Sequence, residues 1–211
     1  TSSDITSASG AVSITADADA TADAGAGGAL TMADGSVINA GSGAITLNAD
    51  ENITVETLTT SSNVTINSVS GSIVKQALDT DVLVTGATLD LDAKTGISLN
   101  TTATTLDALN ATSGNIDITE TNDVAVNRLA QSTAGNISLT TSAGSITIAS
   151  GQSGVTAVDT GAITLDAIGS TSDINVNYTI TSASGAITLT ADDDVLFTGT
   201  SSDITSTSGA V

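Results

Sequence analysis

The sequence predicts an all-β protein of a single architecture, a right-handed parallel β-helix (β-solenoid) with about 22–24 residues per coil and about nine coils. Three observations predict it. A short unit of the form small residue, Gly, Ala, apolar, Thr or Ser, apolar returns from one end of the chain to the other. Within each unit the apolar residues alternate with polar ones at period two, which is the signature of a half-buried strand. The composition also suits a narrow core: there is no Pro, Cys, Trp or His, and only one each of Phe (Phe197), Tyr (Tyr178) and Met (Met32). A broad core between layers is hard to fill without aromatic side chains, whereas a thin one is filled by Ile, Val, Leu and Ala.

The first alternating triplet of each unit falls at Val12/Ile14, Ile45/Leu47, Val64/Ile66, Leu89/Leu91, Ile116/Ile118, Ile137/Leu139, Ile163/Leu165 and Ile187/Leu189, each shortly after a Gly or Ser. Successive starts lie about 20–28 residues apart, except between Gly10 and Gly43, where the stretch from Gly27 to Met32 reads as an additional unit. A second triplet follows in most units: Ile53/Val55, Ile97/Leu99, Val124/Val126, Ile146/Ile148, Ile174/Val176 and Val195/Phe197. Between the triplets lie stretches rich in residues that turn the backbone, 48–52, 92–96, 119–123 and 190–194, and these are the expected corners. Two or three short strands per coil result.

Rival folds fail on pattern. Apolar residues do not recur at helical spacing, and Gly, Ser and Thr interrupt every stretch where a helix needs good formers. Immunoglobulin-like sandwiches need about 100 residues of individually different strands, and the units here resemble one another at a far shorter period. Disorder fits the formal charge of −20 but not the regular, β-branched apolar placement. A lone unit cannot cover its apolar face, so stacking is required. Stacking is expected to place Ile45, Ile116, Ile163 and Ile187 at equivalent core positions, with Thr46, Thr65, Ser138, Thr164 and Thr188 forming outward rows.

A larger repeat overlays the small one. Residues 1–12 return as residues 200–211 with a single difference, Ala8 against Thr207. Residues 1–211 therefore read as one solenoid segment, one period of a longer repetitive fibre. The unit itself, as in Gly185-Ala-Ile187-Thr-Leu189 followed by Ala191, Asp192 and Val195, resembles the repeats of very large bacterial exoproteins, the filamentous-haemagglutinin-like adhesins and related β-strand-repeat surface proteins. That resemblance covers nearly the whole chain, with residues 16–26 the least regular part. It implies an exported, elongated rod on the bacterial cell surface.

Candidate chemistry is sparse. Lys75, Lys94 and Arg128 are the only basic residues, which argues against nucleic acid and anionic lipid as partners, and Arg128 is expected on a solvated loop. No run of about 20 apolar residues argues for membrane insertion. Nucleophilic mechanisms that need His or Cys lack their residues. The acidic corners Asp17/Asp19/Asp23, Asp50/Glu51 and Asp192/Asp193/Asp194 offer oxygen ligands to calcium, but solvation of the rod is the plainer reading. Asp90/Asp92 and Asp192/Asp194 are the pairs from which a carboxylate acid/base site would be built, yet the repeat explains their positions by itself. Gly25 to Gly28 lacks the Lys and helix of a phosphate loop and reads as a tight turn. An ice-binding face on the outward Thr rows is a minor alternative, because those sites vary among Thr, Ser, Asp and Asn. No catalytic, cofactor or metal residue is assigned.

The expected function is the structural shaft of a secreted or cell-surface adhesin or filament, not an enzyme. Its expected partners are like segments or copies of itself end to end, and cell-surface glycans or host surfaces. The rival from another class is a carbohydrate-binding or polysaccharide-cleaving β-helix, which needs an aromatic-lined cleft with carboxylates.

Overall fold

The computed structural model describes residues 3–17, 27–76, 81 and 84–211. Among them there is no helix, and 22 strands join in one sheet that coils on itself. The first coils run β1 (Ile5–Thr6), β2 (Val12–Ala16), β3 (Leu30–Thr31), then β4 (Val37–Gly41), β5 (Ile45–Ala49), β6 (Ile53–Val55), then β7 (Thr57–Thr60), β8 (Val64–Ser68), β9 (Ile73–Lys75). Two long strands follow, β10 (Val84–Ala93) and β11 (Ile97–Asn110), and then β12 (Ile116–Glu120) and β13 (Val124–Gln131). The last coils are β14 (Ile137–Thr141), β15 (Ile146–Ile148), β16 (Gly154–Ala157), then β17 (Ile163–Ala167), β18 (Ile174–Val176), β19 (Ile180–Ser182), then β20 (Ile187–Ala191), β21 (Val195–Phe197), β22 (Ile204–Ser206). In the regular parts each strand lies parallel to the one three places on, as β5 on β8 and β17 on β20. This is a parallel β-solenoid with three strands per coil.

Register turns the sequence triplets into ladders. One ladder runs Ile14, Leu47, Ile66, Leu91, Ala108, Leu129, Val155, Ile180, Ile204, eight steps of 17 to 33 residues. At about 4.8 Å per step the rod is roughly 40 Å long. A second ladder runs Leu30, Ile53, Ile73, Ile97, Ile116, Ile137, Ile163, Ile187, and apart from Leu30 and Ile187 at its ends these side chains are at most 1% exposed. The turns number about eight. The difference from the sequence count lies in the first coil: Leu30–Thr31 is its third strand rather than a coil of its own, so the step from Ile14 to Leu47 is one long turn.

The Gly and Ser of the unit have separate jobs. Successive glycines stack so closely that a Cβ on Gly161 would lie 2.3 Å from the Gly135 carbonyl oxygen, and one on Gly185 would lie 2.1 Å from that of Gly161. No side chain fits a corner whose neighbour is a carbonyl at that distance. Three residues before the glycine a hydroxyl turns inward. Ser182 Oγ accepts from Gly185 N at 2.9 Å and donates to the Gly161 carbonyl at 2.9 Å, and Ser206 repeats both bonds with Gly209 and Gly185. Ser68 likewise accepts from Gly71 N at 3.1 Å. Buried polar groups at these tight corners are thus paired.

The repeat is not in phase throughout. Three columns of strands leave the first coils: β1-β4-β7, β2-β5-β8 and β3-β6-β9. The first continues through Val84–Gly86 of β10 and ends at residues 101–103 of β11. The second divides. At β13 a bulge at Asn127 sets Leu106 opposite Val126 and Asp107 opposite Arg128, so the half before the bulge carries β15, β18 and β21 and the half after it carries β16, β19 and β22. The Gly-Ala-Ile unit consequently lies on the second column before the break and on the third after it. Ile45 shares a ladder with Val12, Val64, Leu89 and Leu106, not with Ile116, Ile163 and Ile187 as the repeat alone suggests. Thr46 and Thr65 form one outward row, and Ser138, Thr164 and Thr188 another.

Candidate functional site

The break in phase is where polar chemistry concentrates, and Glu120 is at its centre. One inward ladder reads Ile38, Leu58, Val84, Thr101, Glu120, Thr141, Ala167, Ala191, apolar at first and polar at the break. Glu120 belongs to the stretch 119–123 that the sequence reads as a corner, yet it is 0% exposed. Its carboxylate accepts from Thr101 Oγ1 at 2.7 Å, from Ala103 N at 3.1 Å and from Thr121 N at 2.9 Å. The reason is the ended column: β12 pairs only as far as Thr101, so the Glu120 side chain takes the place of a strand carbonyl for Ala103. Burial pushes the Glu120 carboxyl above its ordinary pKa, and the hydrogen bonds from Thr101, Thr121, Ala103 and Asn122 only partly oppose it.

Outside this ledge lies an open groove of about 550 Å³, floored by the outward row Asn39, Thr59, Thr85 and Thr102 and lined also by Asn122. Its lining is hydroxyl, amide, methyl and glycine, without carboxylate or aromatic ring.

The adjoining face carries an ion-pair cluster. Asp90 and Asp107 face Arg128 in one outward row, and Asp92 stands two residues along β10. Arg128 Nε donates to Asp107 Oδ1, and Nη2 donates to Asp92 Oδ1 at 2.9 Å and lies 3.9 Å from Asp90 Oδ1. Arg128 thus sits within β13 rather than on a solvated loop, and three stacked carboxylates explain it. Burial works against its charge, but the hydrogen bond and charge of Asp107 and the charges of Asp92 and Asp90 outweigh that and raise its pKa. Asp90 is pushed above the usual carboxylate range by burial, then by Asp92 and Asp107, with Arg128 opposing. Asp90 and Asp92 therefore share a cation, an arrangement that holds a sheet face together.

The corners show a second recurring device that the sequence did not reveal. An Asn or Asp at a corner accepts from a backbone N–H of the next coil: Asn52 from Ser72, Asn115 from Asn136, Asn136 from Ala162, Asp123 from Ser145 and Asp173 from Asp194, at 2.7–3.1 Å. This ladder accounts for part of the acidic corners. Asp192 Oδ2 reaches back to Gly169 N at 2.8 Å, so Asp192 and Asp194 belong to different corner contacts. Asp173, Asp193 and Asp194 each bring one oxygen within 4.8 Å of the others at this partly exposed corner. Asp19, Asp23, Gly25 and Ala26 lie outside the described residues. Asp50 departs from the solvated reading, being 1% exposed. Tyr178 packs against the core from a loop, and Phe197, on β21, is 55% exposed at the end of its ladder.

Comparison with family models, curated proteins and solved structures returns no match.

Proposed function

We propose that the chain is the repetitive shaft of a secreted or cell-surface adhesin or filament on a bacterial surface, acting through rigid length. The observation that carries this reading is the continuous core: apolar ladders run through about eight successive turns and across the break in phase, while the Ser, Asn and Asp residues at many corners are used to tie one coil to the next. Such a molecule resists bending because each turn is hydrogen-bonded to its neighbours along its strands. Its negative surface, with 23 acidic and 3 basic residues, keeps rods apart side by side. Its partners end to end are like segments or copies of itself, stacked as the coils within the chain stack on one another. The runner-up, a carbohydrate-binding or polysaccharide-cleaving protein, needs a cleft that the 550 Å³ groove does not provide, since aromatic rings and carboxylates are missing from its lining.

The test is imaging of the native assembly together with antibody labelling of intact and lysed cells. Surface filaments labelled on intact cells are expected. Labelling only after lysis, or a compact particle with no rod-like dimension, rules the reading out.

A further inference from the structure

We propose that Asp50 and Asp17 form a divalent-cation site, with calcium as the ion, that clamps the first coil onto the second. The two residues hold equivalent corner positions, one place after the paired Ala16 and Ala49. Asp50 is 1% exposed, and among the described residues neither of its carboxylate oxygens has a hydrogen-bond partner. Elsewhere the corner carboxylates and amides accept backbone N–H groups, as Asp123 and Asp173 do. Asp50 breaks that rule while being more deeply buried than they are.

A buried carboxylate without donors is unfavourable, because it has given up its hydration without a partner in return. Among the described residues no base pairs with it: Lys75 reaches Asn100 at 3.0 Å, Arg128 is engaged with Asp90, Asp92 and Asp107, and Lys94, two coils along the same corner, is exposed. A cation is the remaining counter-charge, and the surroundings suit a hard one. Asp17 and Asp50 both line a cavity of about 210 Å³ together with Thr15, Asn48 and Asn67, whose side chains carry oxygen, and with the apolar Ala49 and Val69. Gly28 packs between the two aspartates: a Cβ there would lie 2.8 Å from Asp17 Cβ and 3.1 Å from Asp50 Cβ. Asp17 itself is held at φ 61°, a left-handed conformation that costs energy for a residue with a side chain. Two carboxylates neutralise one divalent ion, and calcium tolerates the irregular oxygen set that a corner offers better than magnesium does.

The experiment melts the full chain in chelator and in rising calcium chloride, with calcium alone as the probe. At calcium a hundredfold above Kd the midpoint is expected to rise by roughly 5–10 °C. Asp50→Asn and Asp17→Asn, with circular dichroism matching the parent, are each expected to abolish that response. The double variant Asp193→Asn/Asp194→Asn at the exposed corner is expected to keep it. Magnesium at equal concentration is expected to shift the midpoint less. No calcium response in the parent, or a response that survives Asp50→Asn, overturns the site; an equal shift with magnesium overturns its assignment to calcium.

Discussion

Replacing Glu120 separates its two contributions, the hydrogen bonds it accepts and the charge it buries. Glu120→Ala leaves Ala103 N–H and the Thr101 hydroxyl without the acceptor they use, at 3.1 and 2.7 Å, whereas Thr121 N keeps its 3.0 Å bond to the Thr101 carbonyl. Each orphaned buried donor costs about 1–3 kcal/mol. The hydroxyl can rotate, so about 3 kcal/mol in all is expected. Glu120→Gln keeps an oxygen for Ala103 and carries no charge, so at neutral pH it is expected within about 1 kcal/mol of the parent. The pH dependence has a definite sign. Because burial raises the folded pKa above the unfolded value of about 4.3, the folded state holds more protons between the two values, and stability falls as pH rises through that window. The contribution is complete below the unfolded value and is lost as pH climbs through the folded one. Urea midpoints measured from pH 4 to 8, taken as the parent minus Glu120→Gln, isolate this from the similar effect of Asp90. A Gln variant as unstable as the Ala variant at neutral pH, or a parent that gains on the Gln variant as pH rises, refutes the reasoning.

Three other predictions concern the repeat itself. Gly185→Ala puts a Cβ 2.1 Å from the Gly161 carbonyl oxygen and is expected to cost about 3 kcal/mol or more, whereas Gly151→Ala, with open space around it but φ at +73°, should cost only about 1–2 kcal/mol in a thermal melt. Ile163→Ala is expected to lose about 2–5 kcal/mol by leaving a cavity in its ladder, and the outward neighbour Thr164→Ala about 0.5 kcal/mol or less. Arg128→Ala leaves Asp90, Asp92 and Asp107 facing one another; a loss of about 1 kcal/mol at low salt, shrinking in 1 M sodium chloride, is expected from chemical unfolding.

Much of the solenoid was legible because alternation is a local property. Ile163, Thr164 and Leu165 declare inward, outward and inward without reference to any other part of the chain, and the structure pairs them with Ile187, Thr188 and Leu189 as their likeness suggests. The third strand of each coil was harder to read. Thr57–Thr60 has one apolar residue, Leu58, and Gly154–Ala157 has only Val155 and the small Ala157, too few for a period to show. The corner amides and carboxylates were visible as turn formers, but their partners lie about 20 residues away in sequence, as Asn52 and Ser72 do, and coil lengths of 17 to 33 residues hide that separation. Asp50 was singled out as an acidic corner, but its burial and that of Glu120 were not legible for a related reason: each lies in a run rich in polar residues, and burial there depends on where the next coil passes.

The break in phase explains why a repeated unit does not name its own position. Every side of the coil makes the same demand, apolar residues inward at period two, so Gly43-Ala-Ile45-Thr-Leu47 and Gly185-Ala-Ile187-Thr-Leu189 satisfy different columns equally well. What assigns the column is the number of residues between corners, and β10 and β11 change it by running 10 and 14 residues as continuous strands. The cost of the change is visible in the side chains recruited to absorb it. Thr101, Asn110, Glu120 and Gln131 are all buried polar residues gathered over two turns, and the last three are larger polar side chains than the Ser68, Thr141 and Ser182 that stand inward on the coils before and after the break. The near-identical residues 1–12 and 200–211 show the same indifference to column: Ile5 pairs with Ile38, whereas Ile204 pairs with Ile180, and those two partners belong to different ladders. Similarity between units in such a chain therefore reports a shared strand and corner, and only the register of hydrogen bonds reports which side of the rod they build.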